Sequence, residues 1–181
     1  MIVVTVGTNE QPFDRLVAAV AALGGDEPLL VQHGASRVAP GRGEWVDFLD
    51  FDELAERMRG ARAVVCHAGV GSIVLARRCG HRPIVVPRRV DRGEAVDDHQ
   101  LALARRLHAD GLVTLVEDER ELAAALAAGP RAVEASVARA AMPGAAALSA
   151  DLHELLVGLG VTPASGDPAV EPAPALSARA A

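Results

Sequence analysis

Six short runs of β-branched and aliphatic residues recur through the first 116 positions: 2–6, 29–32, 45–49, 62–66, 82–87 and 112–116. The first, Ile2-Val3-Val4-Thr5-Val6, is almost continuously apolar rather than alternating, the pattern of a strand covered on both faces. Helix-periodic segments stand between the runs. One over 12–23 places Phe13, Leu16, Val17 and Val20 on one face and ends at Gly24-Gly25. Others are predicted over 52–59, from the turn at Gly71 to Cys79, over 97–109 and over 118–128, the last opened by Asp118 and Glu121 as a capping-box pair. Strands that alternate with crossover helices predict an α/β fold, a doubly wound parallel sheet of about six strands. Two further helices are expected over 131–141 and 145–157, split by Pro143-Gly144. The expected division is a domain over 1–158 and a Pro/Ala-rich, disordered tail over 159–181.

Composition narrows the classes. The 181 residues are 50% hydrophobic but only 2% aromatic, so the core must be built from Val, Leu, Ile and Ala. A net charge of −6, with arginine as the only strongly basic residue type, argues against nucleic acid as a partner. Cys66 and Cys79 form no metal-ligand spacing, so no metal is expected and both read as buried free thiols in a reducing compartment. The chain opens on a strand with neither a signal peptide nor a bilayer-spanning run in view. The expected location is cytoplasmic, with any recruitment to the membrane face supplied by a partner.

In a doubly wound sheet, ligands sit beyond the carboxyl ends of the strands. Three loops there hold unusual residues: Gly7-Thr8, the stretch from His67 to Ser72, and the stretch from Arg88 to Gln100. They are expected to share one cleft. Ala63-Val64-Val65-Cys66 leads into His67-Ala68-Gly69-Val70-Gly71-Ser72, a strand, a glycine turn and a helix start. A helix start offers free N–H groups and partial positive charge to phosphate, and glycines let it approach. A plain strand–helix turn with Ser72 as cap explains the same residues. Gly69-x-Gly71-x-x-Val74 lacks the third glycine of a dinucleotide fingerprint and follows the fourth strand, not the first. Cys66 and His67, adjacent on a strand end, point to opposite faces and make a poor nucleophile–base pair.

Taken in order, His67-Ala68-Gly69-Val70-Gly71-Ser72-Ile73, Gly80-x-x-Pro83-Ile84-Val85-Val86-Pro87-Arg88, Gly93-Glu94 and Asp98-His99-Gln100 resemble one family. It is the C-terminal, donor-binding domain of GT-B glycosyltransferases of family 28. The chain looks most like the small stand-alone subunit of two-part enzymes, such as the dolichol-linked N-acetylglucosaminyltransferase and exopolysaccharide glucuronosyltransferases. Val6-Gly7-Thr8 with Phe13 and Leu16 also fits, so the likeness covers roughly residues 1 to 128.

The resemblance implies a single Rossmann-like domain with a UDP-sugar site and no cofactor. It implies that the loop from His67 to Ser72 meets the diphosphate and that Asp98-His99-Gln100 reads sugar hydroxyls. Gln100 also completes a capping pattern with Asp97, and Arg88-Arg89 reads equally as a phosphate contact or a solvated pair. The implied substrate-binding set is Gly7, Thr8, His67, Gly69, Gly71, Ser72, Arg88, Glu94, Asp98, His99 and Gln100. No residue is named as catalytic: the family's acceptor face and general base lie on a second domain, so a membrane-anchored partner subunit is expected to bring a lipid-linked acceptor. Many relatives carry Glu at the position of Leu75, where it holds the donor ribose; Leu75 cannot. The spacer His81-Arg82 is one residue longer than in many relatives. A non-catalytic nucleotide-sugar-binding regulator and a sugar-nucleotide epimerase-like enzyme are the competing classes.

Overall fold

The computed structural model describes residues 1–129. In chain order these form β1 (Ile2–Thr5), α1 (Asp14–Ala21), β2 (Leu29–Gln32), β3 (Glu44–Val46), α2 (Phe51–Arg59), β4 (Ala63–His67), α3 (Val70–Arg78), β5 (Ile84–Val86), α4 (His99–Ala109), β6 (Thr114–Leu115) and α5 (Leu122–Ala127). The strands make one six-stranded, all-parallel sheet in the order β3-β2-β1-β4-β5-β6. The predicted fold class is therefore found. The helices predicted over 131–141 and 145–157, the domain boundary at 158 and the tail over 159–181 lie outside the described residues.

Both faces of the sheet are covered. Ile2, Val4, Val31 and Val65 pack with Leu16, Val17 and Val20 of α1 and Leu122 and Leu126 of α5. Val3, Leu30 and Val64 meet Leu54 and Met58 of α2 and Leu75 of α3. Cys66 and Val85 meet Ile73 of α3 and Leu107 of α4. Each fully buried Val, Leu or Ile side chain contributes roughly 1.5–3 kcal/mol, so aliphatics alone can sustain the core. Cys66 is wholly buried and its thiol is pushed up to about 12 by desolvation, so it behaves as a small apolar side chain.

Several elements are shorter than their apolar runs, for local reasons. At β6 the carbonyls of Leu112 and Val113 are taken by the side chains of Arg77 at 2.9 Å and Arg82 at 3.1 Å, leaving only two ladder residues. Beyond Val46 the chain leaves the sheet, although Gly34 N still reaches Asp47 O at 3.1 Å. The Asp118 carboxylate accepts from Arg120 N, while Glu121 N bonds the Asp118 backbone carbonyl at 2.9 Å, and a 3₁₀ turn precedes α5. The expected pairing of Asp97 with Gln100 does not form. Asp97 accepts from His99 N at 3.1 Å, and Gln100 Oε1 accepts from Arg88 N at 3.2 Å.

An arginine network locks the loops at the carboxyl end of the sheet. Arg88 is 1% exposed. Its guanidinium donates to the carbonyls of Gln11 at 3.0 Å, Pro12 at 3.1 Å, Val6 at 3.4 Å and Glu94 at 3.4 Å. Arg15 grips the Glu94 carboxylate with two bonds of 2.9 Å and reaches Glu119 at 3.1 Å and Pro87 O at 2.8 Å. The Phe13 ring lies under both guanidinium groups, 5.2 Å from Arg15 and 4.7 Å from Arg88. Glu94→Ala is expected to cost about 3–5 kcal/mol in urea unfolding, because it removes the buried carboxylate beside Arg88 and leaves Arg15 only the more exposed Glu119. Arg106→Ala, which removes only an exposed pair with Asp110, should leave the unfolding midpoint almost unmoved.

Candidate functional site

β1 connects outward to β2 on one side, whereas β4 and β5 lie on its other side, so the order of the strands reverses between β1 and β4. A cleft of about 320 Å³ opens beside this point. It is lined by Thr5, Gly7 and Thr8 from β1 and its loop, by His67, Gly69, Gly71, Ser72 and Leu75 from β4 and α3, by Gln32 of β2, and by Phe48, Leu49, Phe51 and Leu54 around the start of α2.

The turn after β1 is set by chemistry that only glycine meets. Gly7 has φ +77, and its N–H is held by Thr5 Oγ1 at 3.1 Å. The His67 imidazole fills the space beside it. A Cβ on Gly7 would lie 2.4 Å from His67 Cε1, and a Cβ on Gly69 would lie 2.0 Å from His67 Nε2. The missing Cβ of Gly69 therefore makes room for the imidazole. A Cβ on Gly71 would meet nothing within 4 Å.

Gly69 caps α3 with extended backbone and no side-chain bond, and the first intrahelical bond runs from Ile73 N to Gly69 O at 3.1 Å. The N–H groups of Val70, Gly71 and Ser72 precede that bond, which puts the positive end of the helix dipole at the cleft wall. Ser72 sits inside the first turn and is not the cap.

His67 is neutral in the free protein. Burial is the main cause and the nearby Arg88 charge adds to it; together they lower its pKa to about 4. It can offer an N–H to a bound anion, but not a full charge. Among the described residues, the cleft lining contains no carboxylate and no guanidinium.

Of the eleven residues expected at the site, Gly7, Thr8, His67, Gly69, Gly71 and Ser72 come together here. The third loop does not join them. Arg88 and Glu94 are buried in the network behind the β1 loop. Asp98 accepts from Val90 N at 3.4 Å, His99 is exposed and pairs with Asp97 at 2.7 Å, and Gln100 is committed to Arg88 N. Arg89, which with Arg88 reads equally as a solvated pair or a phosphate contact, is turned to Asp91 at 2.9 Å.

Sequence reading missed Gln32, Thr5 and the apolar wall. One signal was present: the chain has three phenylalanines, and two of them, Phe48 and Phe51, line the cleft. Phe48 is 61% exposed, which has no purpose in core packing.

The glycosyltransferase family 28 C-terminal domain matches residues 1–154. The chain belongs to this family. It is 36% identical over 121 residues to the UDP-N-acetylglucosamine transferase subunit ALG13 of Homo sapiens, and equally so to that of Mus musculus. These alignments cover 60% of the chain and 10% of either relative, so the chain spans about a tenth of their length. The ALG13 subunit of Yarrowia lipolytica is 39% identical over 56 residues, which is 31% of the chain and 26% of that protein.

The His67 environment makes stability depend on pH. Its folded pKa of about 4 lies below the unfolded value of about 6.5, so the unfolded chain takes up the proton first. This contribution is fully present above about pH 6.5 and is lost as pH falls toward 4, on the order of 3 kcal/mol at most. Urea unfolding at pH 7 and pH 5 should show the loss in the parent and a flatter response in His67→Asn.

Proposed function

We propose that this chain is the donor-binding part of a UDP-N-acetylglucosamine-dependent glycosyltransferase that works with a partner carrying the acceptor. The observation that carries the reading is the pairing, in one cleft, of a free helix start with a flat apolar wall. Diphosphate suits the N–H groups of Gly71 and Ser72, where no Cβ obstructs approach. A nucleobase suits the faces of Phe48, Phe51, Leu54 and Leu75. The family match and the ALG13 relatives, which are UDP-N-acetylglucosamine transferase subunits, favour a UDP-sugar, and N-acetylglucosamine over glucuronate.

In the transfer itself, an acceptor hydroxyl oxygen forms a bond to the anomeric carbon while the bond from that carbon to the diphosphate oxygen breaks. The acceptor proton passes to a base on the partner. Within this chain, the α3 start meets the charge that develops on the leaving diphosphate. His67, held between Gly7 and Gly69, supplies a neutral ring at the same edge of the cleft. Asp98 and His99, exposed beyond β5, are left to face the sugar or the partner. A lipid-linked acceptor fits this division. In this reading the partner holds the acceptor at the membrane face; no helix among the described residues is long and apolar enough to cross a membrane.

Thermal-shift and calorimetric titration with UDP, UDP-N-acetylglucosamine and UDP-glucuronate test the donor. A ligand at a hundred times its Kd should stabilise the chain by about 2.7 kcal/mol. Gly71→Val should abolish this shift while leaving the melting temperature of the free chain close to the parent's. Gly69→Ala should instead lower the melting temperature, because its Cβ collides with His67. Unchanged UDP binding by Gly71→Val would remove the diphosphate from the start of α3. A second assay mixes the purified chain, labelled donor and lipid-linked acceptor with and without partner-containing membranes; transfer is expected only with the membranes.

A further inference from the structure

Gln32 is a buried polar side chain of the cleft that stands between its glycine loop and its apolar wall. It ends β2, is 1% exposed, and lines the cleft. Its Nε2 donates to Gly7 O at 3.2 Å. Only the NH2 end of an amide can face a carbonyl oxygen, so this bond fixes which end is which. The other end, Oε1, is buried and has no hydrogen-bond partner among the described residues. A buried acceptor left in this state is destabilising, so a donor that arrives with a ligand would recover free energy.

The position selects the donor group. Gln32 pairs in register with Thr5 of β1 on one side and Val46 of β3 on the other. On the first side lie Gly7, His67 and the α3 start. On the second, two residues past Val46, the chain reaches Phe48 and Leu49. A nucleotide with its diphosphate at the first and its base at the second spans this gap with its ribose. Diphosphate at neutral pH carries acceptors only and cannot satisfy Oε1. A ribose hydroxyl can donate. Leu75, on the facing helix, has no polar atom to compete for it. The terminal torsion of Gln is soft, so the oxygen can turn toward a hydroxyl from the β2 position.

We infer that Gln32 recognises the ribose of the nucleotide through Oε1, and that it sets the preference of this cleft for ribonucleotides. The inference rests on the UDP-sugar reading given above. The test is calorimetric titration of UDP and of 2′,3′-dideoxy-UDP against the full chain and its Gln32→Met variant, with melting curves to confirm folding. The parent should bind UDP about tenfold more tightly than the dideoxy compound, one hydrogen bond's worth. Gln32→Met should bind the two alike. Equal affinity of the parent for both ligands, or a variant that keeps the parent's discrimination, would overturn the inference and leave the donor site standing. Failure of the parent to bind UDP at all would instead remove the UDP-sugar reading. A variant that loses affinity for both ligands equally would assign Gln32 a purely structural role through Gly7 and so overturn the inference. If Gln32→Met does not fold, Gln32→Glu is measured in its place: it keeps the acceptor and loses the donor to Gly7, and must retain the preference for UDP.

Discussion

The carboxyl edge of the sheet depends on one buried guanidinium. Arg88 follows β5, yet its donors are spent on the carbonyls of Val6, Gln11 and Pro12, which belong to the loop after β1. A guanidinium is charged at any physiological pH, so burying it demands full hydrogen bonding and a nearby counter-charge. The carbonyls take Nη1 and Nη2, while Nε has no hydrogen-bond partner among the described residues. Glu94, gripped by Arg15, supplies the counter-charge. The consequence is geometric: two loops that leave different strands are tied together. Gly7 is thereby fixed where the His67 ring can lie against it.

That placement explains why the site is built from glycines and neutral groups. The Arg88 charge and burial both keep His67 unprotonated. Positive potential at the cleft comes instead from backbone dipoles at the start of α3, which are already oriented and need little reorganisation to meet an anion. The two glycines of the α3 turn then have separate tasks. Gly69 yields its Cβ volume to the imidazole, and Gly71 keeps the approach to the helix start open. A cleft with no charged side chain among the described residues holds an anion by aligned N–H groups and holds a base by apolar contact. A nucleotide diphosphate is a molecule with both needs.

The sequence by itself determined the fold. Continuous apolar runs such as Ile2-Val3-Val4 admit only a strand covered on both faces, and helix-period segments between them force parallel crossovers. The glycine turn after β4 and the pair Gly7-Thr8 were equally legible, because each is local: a strand, a turn and a helix start within a few residues. The family likeness was legible from ordered motifs for the same reason. Tertiary structure decided the rest. Arg88, Glu94 and Gln100 read as ligand groups in a linear view, but their partners are 77, 79 and 12 residues away, and those contacts bury or occupy them. Gln32 carried no motif. Its meaning arises only where β2 lies beside β1 and its amide meets Gly7 O. The apolar wall of Phe48, Phe51, Leu54 and Leu75 joins two helices that are consecutive in the chain but meet only on the folded sheet. Backbone conformation is set by neighbours in sequence; the vacancy of a hydrogen-bonding atom is set by neighbours in space.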